Sequence, residues 1–110
     1  MLNVLENGEI QLTRGDSAYL KVNVTKDNGE AYEFQNGDSL TLSLKKSTKD
    51  GEALMTKTAI ASDTFHIKPK DTSGLSFGKY KYDVQLNTAD GDVFTVIPPS
   101  TFEILEEVTS

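Results

Sequence analysis

Leu75-Ser76-Phe77-Gly78-Lys79-Tyr80-Lys81-Tyr82-Asp83-Val84 is the stretch whose reading decides the fold. From Lys79 onward, apolar and polar residues alternate without a break. Tyr80, Tyr82, Val84 and Leu86 interleave with Lys79, Lys81, Asp83, Gln85 and Asn87. Successive side chains of a strand point to opposite faces, so this run predicts a strand with one face in a core and one in water. Upstream, Lys68 to Leu75 carries Pro69, Ser73 and Gly74 and predicts a crossover with room for one helical turn.

The same period recurs on both sides. Ile10 and Leu12 alternate with Glu9, Gln11 and Thr13. Ala18, Leu20, Val22 and Val24 alternate with Tyr19, Lys21, Asn23 and Thr25. Leu40, Leu42 and Leu44 alternate with Thr41, Ser43 and Lys45, and Phe65 and Ile67 flank His66. Turns separate the runs at Arg14-Gly15-Asp16-Ser17, Asp27-Asn28-Gly29, Asn36-Gly37-Asp38-Ser39, Lys49-Asp50-Gly51 and Ala89-Asp90-Gly91-Asp92. Pro98-Pro99 interrupts the last strand, which must lie at an edge or kink there. No run of helical period reaches ordinary helix length.

Seven or eight strands with frequent turns predict an all-β, antiparallel sandwich, with Ile10, Leu20, Val22, Leu42, Leu44, Ile67, Tyr82, Val84 and Leu86 in its core. The spacing Gly78-Lys79-Tyr80-Lys81-Tyr82 sharpens this. A crossover, then a Tyr, then an inward residue two places on is the pattern of the tyrosine corner in immunoglobulin-like sandwiches. Tyr80 is expected to bury its ring and bond an upstream backbone group near Asp71 to Leu75.

The chain has 110 residues, enough for one domain spanning 1–110. Hydrophobic residues make up 36% and charged residues 25%, which excludes a disordered chain. The net charge of −6 disfavours nucleic acid and anionic membranes as partners. No apolar run is long enough to span a bilayer as a helix, and Met1 to Asn7 lacks the basic and apolar blocks of a signal peptide. Without cysteine there are no disulfides or thiolate sites, consistent with assembly in a reducing cytoplasm.

Three stretches carry a resemblance: IQLTRGDSAYLKVNV at 10–24, GDSLTLSLKK at 37–46, and DTSGLSFGKYKYDVQLNTADGDVFTVIPPSTFEI at 71–104. They resemble small proteins of phages and prophages of Gram-positive bacteria, and look related to the N-terminal domain of the phage upper baseplate protein family. The resemblance runs from Ile10 to Ile104. It implies an immunoglobulin-like or fibronectin-like domain within a virion assembled in the bacterial cytoplasm, with neighbouring virion subunits as partners and no catalytic residues. In that family the domain leads into a connector towards the receptor-binding protein. Here the sequence stops at Ser110, so neck, tail or capsid decoration stays open beside the baseplate.

No catalytic, metal-binding or cofactor-binding residues are expected. His66, the single histidine, should point outward between inward neighbours, with nothing arranged around it as a triad. Asp90 and Asp92 bracket a turn, where Asp serves the backbone, and offer too few oxygens for calcium. Glu106-Glu107 is a further carboxylate pair. Asp27-Asn28-Gly29 lacks calcium-loop spacing, and Gly74 and Gly78 precede no helix that would make a phosphate loop. Arg14-Gly15-Asp16-Ser17 spells an integrin-recognition tetrapeptide, but Gly15 permitting a turn and Asp16 capping it is the simpler reading. Lys45-Lys46-Ser47-Thr48-Lys49 is a basic cluster, read as a solvated strand end or a contact for an acidic neighbour.

The candidate interface residues are Phe94, Val96 and Tyr19. An even-numbered loop at Asp90-Gly91 pairs Leu86 with Thr95 and Val84 with Ile97, forcing Phe94 and Val96 outward. An odd loop puts Val93 and Ile97 outside instead. The exposed residues then mark an oligomer or neighbour contact, unless a terminal segment such as Leu2 to Leu5 folds over them. The expectation is a non-enzymatic structural or adaptor protein of a virion. The alternatives are a carbohydrate-binding sandwich module, for which Tyr19 and Phe94 are the ring candidates, and a phage-encoded acidic inhibitor of a host protein.

Overall fold

The computed structural model describes residues 8–47 and 52–106, and the backbone alone of 2–4. The turn expected at Lys49-Asp50-Gly51, the Thr48-Lys49 end of the basic cluster, Leu5 and Glu107 lie outside the described residues.

The described residues form eight strands and one short helix: β1 (Leu2–Val4), β2 (Ile10–Thr13), β3 (Ala18–Lys21), β4 (Ser39–Lys45), β5 (Met55–Ile60), β6 (Thr64–Ile67), α1 (Pro69–Thr72), β7 (Gly78–Asn87) and β8 (Val93–Leu105). The fold is all-β, in two sheets. The larger has the order β1-β2-β8-β7-β4-β5, and β3 pairs with β6 in the smaller. The turn between β5 and β6 carries the chain from one sheet to the other. There Ala61 takes φ 49°, the left-handed region, and its N–H donates to the Asp38 carbonyl at 2.8 Å.

The alternation read from the sequence sets the register. Leu40, Leu42 and Leu44 of β4 pair with Leu86, Val84 and Tyr82 of β7, and all of them are buried. Paired residues share a face, so one apolar layer forms without a slip. Ala18 and Leu20 of β3, with Phe65 and Ile67 of β6, close this layer from the other side and join it in one core. Every residue expected in that core is buried, and Leu12, Met55, Ala59, Phe102 and Ile104 belong to it as well.

One feature differs from the sequence reading. The larger sheet is mixed, not purely antiparallel. β2 runs parallel to the end of β8, with Ile10 opposite Phe102 and Leu12 opposite Ile104, and the Arg14 N–H donates to the Leu105 carbonyl at 3.0 Å. A parallel pair needs a long connection between its strands, and here almost the whole domain lies between them. β8 is 13 residues long, and the kink expected at Pro98-Pro99 is a bulge within it. Tyr82 pairs with Ser100 and Val84 with Ile97, so both prolines stand opposite Asp83 alone. This bulge absorbs the missing N–H donors, and β8 resumes towards Phe102 and Ile104.

The crossover folds as one helical turn. Burial works against the Asp71 charge. The Lys68 N–H at 2.8 Å and the Lys57 ammonium at 2.9 Å outweigh it and hold the carboxyl below its ordinary range. The Lys57–Asp71 pair ties β5 to α1. Beyond the helix, the Tyr80 hydroxyl donates to the Ser76 carbonyl at 2.7 Å, one residue past the span expected for it. Tyr82 sets its ring edge-on to Phe102 and donates to the Gly8 carbonyl. Burial pushes the Tyr82 phenol up to about 12.

Candidate functional site

The site is built around the β7–β8 hairpin. Asn87 pairs with Val93 and Leu86 with Phe94, so residues 88–92 form an odd loop. It is closed by the Thr88 N–H to the Asp92 carbonyl at 2.9 Å and the Gly91 N–H to the Thr88 carbonyl at 3.0 Å. This corrects the even-loop pairing of Leu86 with Thr95. Thr88 and Asp92 belong to the loop, not to the strands. Phe94 therefore shares the inner face with Leu86, and Val93 lies on the outer face. Val96 fills a bulge between the Gln85–Thr95 and Val84–Ile97 pairs, which returns Ile97 to the face of Val84.

Phe94 is on the inner face yet 54% exposed. The reason lies in the opposite sheet. β3 ends at Lys21, and the chain beyond it leaves an open cleft of about 490 Å³. Val24, Thr25, Lys26 and Asp27 line it with Tyr32, whose N–H donates to the Val24 carbonyl at 2.9 Å, and Leu86, Phe94 and Val96 line it as well. Val96 and Val24 are only partly covered by the core.

One buried carboxylate holds this end of the molecule. Asp38 accepts from the Gln35 N–H at 2.8 Å, the Tyr32 hydroxyl at 2.7 Å and the Ala89 N–H at 2.9 Å. Those donors, the Gln35 N–H foremost, hold its carboxyl below the usual range. The hydrogen bond to Asp38 is also the chief cause that raises the Tyr32 phenol, with burial and the charges of Asp38 and Asp90 adding to it. Asp38 thus fixes Tyr32 in the cleft and anchors the 88–92 loop. Gly37 lets the two loops meet. Its φ is +95°, and a Cβ there would sit 2.8 Å from the Ala89 Cβ.

Tyr19 stands elsewhere. It is 69% exposed on the outer face of the β3–β6 sheet and stacks on His66, with ring centroids 4.4 Å apart and planes 10° from parallel. The structure therefore brings Phe94 and Val96 together and leaves Tyr19 on a separate surface. Leu2–Val4 pairs with β2, on the flank of β2 away from β8. The Arg14-Gly15-Asp16 turn packs inward: the Arg14 guanidinium lies 4.3 Å from the Phe77 ring centroid, and the Gly15 N–H donates to the Thr72 hydroxyl at 2.9 Å. On the outer face of the large sheet, Ser43, Lys45, Lys81, Asp83, Gln85 and Pro99 border a smaller depression of about 230 Å³. Among the described residues, no three His, Asp or Glu side chains gather as a metal ligand set.

Tyr32 is the residue that sequence reasoning missed. Its signal is an aromatic between Glu30 and Glu33, in a segment too polar to be a buried strand. Comparison with protein-family models and with curated proteins gives no match for this chain.

Proposed function

We propose that the chain is a non-enzymatic structural or adaptor protein of a bacteriophage virion, built as an immunoglobulin-like sandwich and acting through contacts with neighbouring subunits. The strand order supports the fold. β3 pairs with β6 as strands B and E do in that plan, and β8-β7-β4-β5 follows the order G-F-C-C′. The Tyr80–Ser76 hydrogen bond sits where a tyrosine corner belongs, with Tyr82 two residues on in the inward place. The resemblance over Ile10 to Ile104 supports the virion, as a tail, baseplate, neck or capsid component.

The observation that carries a contact role is the start of β8. Val93 and Phe94 are large, apolar and exposed on a regular strand, beside a cleft the fold leaves open. Such surface is what a partner subunit covers. The test is sedimentation of particles from an infected or induced culture. The chain should travel with the particles at fixed stoichiometry. Recovery only in the slow, particle-free fractions would reject the reading.

The stacked Tyr19–His66 rings favour a second reading, a carbohydrate-binding module with that pair as its platform. A glycan array gives signal for it only if the signal disappears in Tyr19→Ala.

A further inference from the structure

We propose that the Val93–Ile97 edge of β8 and the adjoining cleft form an acceptor groove for one extended, apolar segment of another polypeptide flanked by basic residues. The inference rests on the reading of this chain as a contact module, and names the partner's chemistry.

The edge comes first. β2 covers β8 only from Phe102 to Leu105. Among the described residues, no strand flanks Val93–Ile97 on the side away from β7. Along that side, outward N–H and C=O groups can pair with an added strand, alternating regularly from Val93 to Thr95 and shifting by one residue at the Val96 bulge. Edges of this kind are ordinarily guarded by charge or proline. From Val93 to Thr101 there is no charged residue, although a quarter of the chain is charged. The guard is Pro98-Pro99, which ends regular pairing after Ile97. Five residues of free edge span roughly 17 Å at about 3.3 Å per residue, enough for a short added strand.

The cleft supplies side-chain recognition. An added strand sends alternate side chains to either face. One row would enter the space lined by Val24, Tyr32, Leu86, Phe94 and Val96, and the other would remain in water. An apolar residue at every second position is therefore required of the guest.

Charge selects the occupant. Asp27 lines the cleft beside Lys26, Asp90 is near enough to act on Tyr32, and Asp92 immediately precedes the edge. The rim is acidic, and the chain as a whole carries −6. A second copy would bring the same charges and be repelled, whereas lysine or arginine flanks are attracted.

The probe is a capped peptide of alternating valine and threonine with lysines at both ends, titrated into the whole chain. Affinity is followed by fluorescence anisotropy and location by amide hydrogen exchange. Binding with protection centred on Val93–Ile97 is expected. Binding should be about tenfold or more weaker with glutamate ends, with N-methylated backbone amides, and with Phe94→Ala protein. Phe94→Val is the backup variant should Phe94→Ala fail to fold. Absence of binding, protection elsewhere, or equal binding of the glutamate-ended or N-methylated peptide would overturn the proposal. So would protection of Val93–Ile97 in a concentration-dependent dimer without peptide, which would make a second copy the occupant. Co-sedimentation with particles is read separately. A chain that travels with particles but ignores the peptide sinks only this inference, and one that binds the peptide but never enters particles sinks only the virion reading.

Discussion

Removing one oxygen from Tyr80 tests the corner that joins the crossover to β7. In Tyr80→Phe the ring stays in the core, where Tyr80 is 4% exposed, and only the hydroxyl that donates to the Ser76 carbonyl at 2.7 Å is lost. Ser76 itself is exposed, so its freed carbonyl can return to water and escapes the penalty of a buried, unpaired acceptor. The cost is then the net worth of one neutral hydrogen bond, about 1 kcal/mol. Deleting the whole ring in Tyr80→Ala adds a cavity and raises the cost to roughly 3–5 kcal/mol. Urea unfolding followed by far-ultraviolet circular dichroism measures both. With a slope of about 1–2 kcal/mol/M for a domain of this size, Tyr80→Phe should lower the midpoint by roughly 0.5–1 M at unchanged slope. An unmoved midpoint would refute the reasoning, because the hydroxyl would then contribute nothing that water does not replace.

Leu42→Ala, at a fully buried position in the middle of β4, should cost about 3–5 kcal/mol in the same assay. Ala61→Gly should hold or raise the thermal midpoint, because glycine relieves the left-handed strain at φ 49° and offsets its own entropic cost; a clear drop would contradict the turn geometry. Because the folded pKa of Asp38 is lowered, its contribution is complete above the ordinary carboxylate range and is lost as pH falls through the lower folded value. Asp38→Asn should therefore unfold more readily at neutral pH and lose stability less steeply on acidification, as read by pH-dependent melting. Tyr82 works at the other end. With its phenol raised to about 12, stability should be complete below about 10 and fall as pH rises from there to about 12. Its phenolate signal should be missing near pH 11 in Tyr82→Phe-corrected absorbance titrations of the folded protein.

Strand faces were legible because burial on one side imposes period two, and that period survives in Leu40-Thr41-Leu42-Ser43-Leu44 and in Tyr80 to Leu86. The burial of the Tyr80 ring and its bond to nearby backbone were legible because they are local: the acceptor, Ser76, lies four positions upstream, one residue past the expected span. Nonlocal and parity-dependent features were not. Nothing in Ile10-Gln11-Leu12 states that it runs parallel to residues 92 positions on. Pro98-Pro99 reads as a kink, and the bulge opposite Asp83 is that kink; that β8 resumes beyond it to bury Phe102 and Ile104 depends on pairing with β7 and β2, which the dipeptide does not encode. At the candidate surface, the sequence reads Phe94 as outward with an even loop, but its face depends on whether Thr88 and Asp92 belong to strands or loop. The cleft needs Tyr32, which Asp38 holds in place across a turn that sequence spacing treats as simple punctuation.

Incorporation of Phe94→Glu into particles tests the central claim most directly. Phe94 is half-exposed, so the substitution should leave the circular dichroism spectrum and melting temperature close to those of the parent. Quantitative mass spectrometry of purified particles should then show the variant strongly depleted relative to the parent chain. A folded variant incorporated at the parent's level would contradict the claim that the Val93–Ile97 edge carries the contact.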